Sequence, residues 1–306
     1  MSISYTFLQI ILPVLIPIFF GALLHYKFKF DLISFSKLNL YYYVPALAFI
    51  KIYESKVSSQ LVFSVFGFLL LQFSIMAIAG YVVCRLMKSP PPLAASFANS
   101  ILLVNNGNIG IPVNAFAFKH DPFAMSIQIM VVVFEMVMTF TVGLLNASKT
   151  AMGIKKSLVL LAKMPIIYTI ALGAMLNYFH IGIAEPLRLS LTNIADGMVS
   201  FALVTIGAQI ASANLQRNTV TILVSSLLRL VLSPLSAYVL IQLLQLHGIT
   251  AQALFIASAM PTSRNSAALA LEYNNEPVFA AQAVLVSTLL SSITLTIVIG
   301  LAQYIS

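Results

Sequence analysis

Ten apolar runs, each about 20 residues or longer, follow one another along the chain, and a run of that length is what a helix needs to cross the hydrocarbon of a bilayer. They cover approximately 5–26, 33–53, 60–87, 92–118, 122–148, 157–179, 186–212, 218–246, 250–275 and 277–304. In lipid every backbone N–H and C=O must be satisfied inside the protein. The expected fold class is therefore an all-α membrane protein with ten transmembrane helices. A soluble alternative fails on composition, since 60% of residues are hydrophobic and 8% charged, where a soluble domain carries about a quarter charged. One large soluble core would have nothing polar left to cover it.

A net charge of +8 in a soluble protein would suggest nucleic acid. Here the cations sit at the ends of the runs, where topology accounts for them, and no nucleic-acid partner is expected. The first run, Tyr5 to Tyr26, has no basic residue before it and is followed by Lys27 and Lys29. A signal peptide has the reverse arrangement and a small-residue cleavage site, so this run reads as a permanent span with its N-terminus outside. Ten cations then fall on the cytoplasmic side: Lys27, Lys29, Lys37, Arg85, Lys88, Lys149, Lys155, Lys156, Lys163 and Arg217. Four fall opposite, at Lys51, Lys56, Lys119 and Arg188. The bias follows the positive-inside rule and predicts a multi-pass protein of the cell (inner or plasma) membrane with both termini on the non-cytoplasmic side. Cys84 is the single cysteine, so no intrachain disulfide forms.

Two runs are cut by short polar interruptions in corresponding places. NNGNIGIPV occupies Asn105 to Val113, and MPTSRNSA occupies Met260 to Ala267. Shifted by 152 residues, the first lands on Ala257 to Asn265, inside the second. At the same offset LPVLIPIFFGALLHY, from Leu12, overlies MPIIYTIALGAMLNY, from Met164, with six identities in fifteen positions, among them Pro13/Pro165, Gly21/Gly173 and Tyr26/Tyr178. Five spans per repeat is an odd number, so the halves must insert with opposite orientation. Such inverted repeats, with paired interruptions, mark the binding site of many carriers. The expected units are 1–153 and 154–306, joined by a short hinge at Lys149 to Lys156, with crossed broken helices at the fourth and ninth spans.

The interruptions carry the candidate binding residues. In the fourth span these are Asn105, Asn106, Asn108, Gly110, Pro112 and Asn114. Glycine permits unusual backbone angles, and Pro112 suits the first turn of a new half-helix. Three asparagines exceed what a simple Gly/Pro kink requires, although they could merely tie neighbouring helices. In the ninth span the candidates are Pro261, Thr262, Ser263, Arg264 and Asn265. Half-helix N-termini suit an anion, and the Arg264 guanidinium is a planar fork matched to carboxylate. Arg264 contacts cargo or plays a structural part, capping the carbonyl ends of the broken helices or partnering a buried acid, and the two roles are not exclusive.

Glu135, inside VVVFEMVMTF, is the one acid well within the first half, and with Gln128 it is a candidate for proton relay or for structural support. Arg229 reads as snorkelling to the cytoplasmic interface, and Asp196 as lying near the wet edge of its helix. Tyr41 to Tyr43 read as an interfacial aromatic cluster. His25, His120, His180 and His247 fall at run ends without metal-ligand spacing. No phosphate-binding, dinucleotide or nucleophile motif stands in a strand–turn–helix context. No metal, cofactor or enzymatic activity is expected.

At these residues the sequence resembles the auxin efflux carrier family, which shares its fold with the bile-acid sodium symporters. NNGNIGIPV is similar to that family's first crossover, MPTSRNSAALALEY to its second, and IADGMVSFALVTIGAQIA to the segment ending in its Ile-Gly pair. The resemblance implies a scaffold of spans 1, 2, 6 and 7 that forms a homodimer, and a moving transport domain of spans 3–5 and 8–10. It also implies a small carboxylate as cargo, such as malate, malonate or an auxin-like acid, and the short hinge favours the bacterial-type subgroup. A fixed guanidinium at Arg264 would compete with a bound sodium ion, so sodium coupling is in doubt.

The expected function is thus a secondary active or facilitative transporter of a small organic anion, working by elevator-like or rocking alternating access. One alternative is a cation/proton antiporter of similar fold, which wants paired carboxylates at the break, where neither interruption contains an acid. The other is a membrane-embedded ligand sensor.

Overall fold

The computed structural model describes residues 8, 12–54, 58–148, 159, 162–211 and 219–305. The Lys149 to Lys156 hinge, the boundary between 153 and 154, Arg217 and most of the first eleven residues lie outside the described residues. Among the described residues all regular structure is helical. In chain order these are α1 (Leu12–Phe28), α2 (Leu32–Leu38), α3 (Val44–Tyr53), α4 (Ser59–Leu86), α5 (Pro91–Leu102), α6 (Ile111–Ala117), α7 (Pro122–Met138) and α8 (Leu144–Ser148). There follow α9 (Pro165–Tyr178), α10 (Glu185–Ala211), α11 (Thr219–Leu227), α12 (Ser233–Leu243), α13 (Gly248–Ser258), α14 (Arg264–Glu272) and α15 (Pro277–Ala302).

Helix starts obey local chemistry. Proline opens α5, α7, α9 and α15, where its missing N–H costs nothing. Ser58 Oγ accepts from Leu61 N–H at 3.2 Å ahead of α4, and Asp121 Oδ1 accepts from Ala124 N–H at 2.9 Å ahead of α7. Ahead of α2, the Ser34 hydroxyl and the Ile33 N–H donate to Asp31 and hold its carboxyl below the usual range.

Five stretches are long and apolar enough to cross a membrane: Gln60–Leu86, Pro122–Ala147, Glu185–Ala211, Val220–Leu243 and Pro277–Ala302. The other apolar runs are shorter helices or helix pairs. Four runs, two of them among the long stretches, are interrupted by π-helical turns, at Asn39–Tyr43, Asn106–Gly110, Thr139–Gly143 and Leu228–Leu232. Three of the four end two residues before a proline, at Pro45, Pro112 and Pro234. A proline ring clashes with the carbonyl four residues back, and widening the turn relieves that clash without ending the helix.

The helices sort by contact into two groups. In the first, α10 packs along α1 and against α3, and α9 packs on α3. Glycine makes these approaches possible. A Cβ on Gly207 would lie 1.8 Å from Ile18 O, one on Gly21 2.2 Å from Val204 O, and one on Gly173 2.9 Å from Phe49 O. Small residues let backbones meet where lipid supplies no hydrophobic drive between helices. In the second group α4 packs on α5, α7 and α12, α13 on α7, and α15 on α11 and α14. The groups meet across an apolar face, where Val44, Leu47 and Ala48 of α3 and Ala195 and Ala202 of α10 cluster with Ile111, Ala115, Met125 and Ile129 of α6 and α7.

Candidate functional site

The two interruptions meet. Val104 and Thr262 form an antiparallel bridge, in which Asn105 N–H donates to Pro261 O at 2.9 Å and Ser263 N–H donates to Leu103 O at 2.7 Å. Four helix ends converge there: the C-termini of α5 and α13, the π turn leading into α6, and the N-terminus of α14. Every such end leaves backbone groups without helical partners, and burial demands that they be paired.

Side chains from distant elements pair them. Thr262 Oγ1 donates to Ser100 O at 2.6 Å, and Gln128 Nε2 to Asn106 O at 3.0 Å. Thr262 N–H donates to Ser287 Oγ at 3.2 Å, and Asn106 N–H to Glu135 Oε2 at 3.1 Å. Glu135 and Ser287 are 152 residues apart, the offset of the sequence repeat. Each accepts from the unwound backbone of its own half. An acid therefore does reach the crossing, from α7, although neither interruption contains one.

Arg229 departs from the expectation of snorkelling. It is 3% exposed, and its guanidinium donates to Ile101 O at 3.0 Å, to Ser233 Oγ at 2.6 Å and to Ser258 O. Ile101 and Ser258 are the carbonyl ends of α5 and α13, so Arg229 bonds the two half-helix C-termini with one planar fork. The π turn at Leu228–Leu232 carries it. A guanidinium is worth more at two carbonyl-rich, negative helix ends than at the interface, which is why it points inward. Asp196 also differs. It is exposed near the middle of α10, not at that helix's edge.

Arg264 opens α14 and lines two cavities. One, of ≈ 280 Å³, lies between the helix groups and is lined by residues that include Asn39, Asn105, Asn108, Glu135, Thr205, Ser263, Arg264 and Asn265. The other, of ≈ 510 Å³, shares Asn105 and Arg264 and runs toward the end of the molecule where α2 and α15 begin, between walls that include Leu32, Ile210, Leu271 and Val278. The two adjoin at Asn105 and Arg264, the outer one mostly apolar and the inner one richer in polar side chains.

The candidate residues separate by position. Asn105, Asn108, Ser263, Arg264 and Asn265 line the inner cavity. Asn106 and Thr262 are 4% and 0% exposed; Asn106 serves the crossing through its backbone, and Thr262 through its backbone N–H and its hydroxyl. Pro261 gives its carbonyl to Asn105, and Pro112 is buried in the first turn of α6. A Cβ on Gly110 would lie 2.5 Å from Gln128 Nε2, so glycine there admits the amide that holds Asn106. Asn114 is 1% exposed within α6 and lies outside the walls of both cavities. Asn39, Thr205, Ser233 and Ser287 were not singled out in sequence. A proline two residues past a π turn and an arginine four residues before Ser233 were the available signals.

The profile of a membrane transport protein family matches residues 9–299. The chain belongs to that family. It includes the auxin efflux carriers, so the resemblance read from the two interruptions holds. No curated protein matches the chain. As a membrane transport protein the chain works in a lipid bilayer on a transported substrate, and the apolar faces of its long helices are what that setting requires.

Proposed function

We propose that this chain is a carrier of small organic carboxylates, and that Arg264 binds the carboxylate at the backbone crossing. The observation that carries the reading is the position of Arg264. It stands at the N-terminus of a half-helix and lines both a cavity walled by the crossing and a second cavity that extends toward one end of the molecule. A guanidinium fork and half-helix N–H groups both favour an anion. Arg229 bonds the carbonyl ends of α5 and α13, which supports reading Arg264 as a cargo residue and not as their cap.

The same reading takes the helix groups as a scaffold (α1–α3, α9, α10) and a transport domain (α4–α8, α11–α15) within two inverted five-span repeats. The matched roles of Glu135 and Ser287 support the repeat. So do the reciprocal glycine contacts, α1 on α10 and α9 on α3. The apolar face between the groups supports sliding of one past the other. Exposed Asn193, Asp196 and Ser200 form a polar stripe on α10, and polar groups facing lipid are costly, which favours a second copy covering that stripe.

Uptake of radiolabelled acids into proteoliposomes tests the carrier reading against a sensor that binds without moving its ligand. For the site, Arg264→Lys keeps the charge and loses the fork. Charge-assisted hydrogen bonds contribute about 1.5–3 kcal/mol, so affinity should fall about ten- to a hundredfold with melting temperature unchanged. Unchanged affinity in well-folded Arg264→Ala protein would remove Arg264 from the site.

A second reading, proton coupling, rests on Glu135. Its carboxyl touches both the Asn106 backbone and the inner cavity, so a proton held there could depend on occupancy. Glu135→Gln should then abolish substrate-driven acidification or alkalisation of the vesicle lumen while binding persists.

A further inference from the structure

The stretch Val220–Leu243 changes neighbours half-way along. α11 and the π turn at Leu228–Leu232 pack on α15, whereas α12, which holds Pro234 in its first turn, packs on α4 and α13. A π turn and a proline are where helices bend, and here the bend leaves a groove of ≈ 440 Å³ between α12 and α15, with Phe255 of α13 in its wall. The groove begins beside Leu230 and Pro234 and reaches Tyr238 and Tyr304. Leu235 and Leu301 in its walls are 60% and 52% exposed, and it shares no residue with the two cavities at the crossing. In a protein of the bilayer such a face meets lipid.

Thr294 and Tyr304, both in the groove wall, are ten residues apart. That separation is roughly 15 Å on a helix, half of the ~30 Å hydrocarbon core, so the groove has the length of one leaflet. At Tyr238, Tyr304 and Ile305 it adjoins a polar space of ≈ 600 Å³ lined by Gln242, Gln245 and His247, where α12 ends and α13 begins. Tyrosines favour that boundary between lipid and water. Among the described residues no Lys, Arg, Asp or Glu lines either space. The glutamines, tyrosines and His247 supply donors and acceptors without a fixed charge.

We propose that the two spaces together hold one phospholipid of zero net charge, such as phosphatidylethanolamine, with an acyl chain in the groove and its headgroup against Gln242, Gln245 and His247. An unpaired charge drawn out of water is costly. A lipid phosphate seated here finds no lysine or arginine, so the lipid must bring its own cation. An ethanolamine headgroup does so; a glycerol headgroup does not.

The chain contains no tryptophan, so a single introduced indole reports on its own surroundings. Leu235→Trp and Leu301→Trp place one in the groove wall. Ile293→Trp places one on α15 outside both spaces, at a position 64% exposed. The full chain is reconstituted in phosphatidylglycerol vesicles containing a rising fraction of phosphatidylethanolamine with brominated acyl chains, which quench indole on contact. Half-maximal quenching at the groove positions should need a fraction about fivefold lower than at Ile293→Trp. With brominated phosphatidylglycerol in its place the groove and control curves should coincide. Coincident curves with the ethanolamine lipid would mean ordinary solvent lipid and overturn the proposal. A groove indole that stays unquenched while Ile293→Trp is quenched would mean that protein, such as a second copy, covers the groove, and would overturn it too.

Discussion

Arg229 and Arg264 are the same residue type in similarly apolar runs, yet their surroundings differ. Arg229 spends its donors on carbonyls and on Ser233; Arg264 faces the cavities. Sequence could not separate them, because the partner that settles Arg229's role, Ile101, is 128 residues away. The difference is measurable. Arg229→Ala orphans the Ile101 carbonyl, whereas Ser258 O keeps its bond from Ser233 Oγ at 2.8 Å. One unpaired buried acceptor costs about 1–3 kcal/mol, and Glu135 loses a nearby counter-charge besides. Melting temperature should therefore fall clearly in Arg229→Ala and hardly at all in Arg264→Ala. The reverse ranking would exchange the two roles.

At the scale of elements, much of the fold was legible. Each apolar run corresponds to a helix or a helix pair, because hydropathy alone decides what lipid will accept. The interruptions were legible too, since Asn, Gly and Pro cannot sit together inside an apolar helix without breaking it. Their pairing through the Val104–Thr262 bridge was not, because backbone hydrogen bonds leave no mark on residue type. The π turns before Pro45 and Pro234 were also missed. There a proline distorts a helix without ending it, and sequence alone reads continuity. Gly21 and Gly173 drew notice as repeat identities, while their purpose, backbone contact with α10 and α3, is a tertiary fact. It yields a sharp contrast. Gly207→Ala would place a methyl 1.8 Å from Ile18 O, whereas a Cβ at Gly182 meets nothing within 4 Å. Overpacking costs about 1–3 kcal/mol, so Gly207→Ala should melt several degrees lower than Gly182→Ala in the same detergent. Equal melting would mean that α1 and α10 separate freely.

For the whole molecule, orientation follows from charge and is open to direct measurement. In a cysteine-free background carrying Cys84→Ser, cysteines at Lys88 and at Lys119 stand at opposite ends of the α5–α6 pair. The positive-inside bias predicts that an impermeant thiol reagent reaches the Lys88 position from the cytoplasm and the Lys119 position from outside. Labelling of both from one side would break the crossing topology. In the predicted orientation the outer cavity lies toward the cytoplasm.

The fixed guanidiniums have an electrical consequence. Arg229 sits in the second helix group, between α11 and α12, and Arg264 opens α14 of the same group, so if that group travels it takes both along. Against one carboxyl, Glu135, the empty site carries one or two positive charges according to whether that carboxyl holds its proton. Each charge moved through the full field is worth about 2.3 kcal/mol per 100 mV. A bound monocarboxylate lowers that charge by one. Membrane voltage would thus act more strongly on the return of the empty carrier than on the passage of the loaded one, and the resting potential would help decide which way the site faces when it waits.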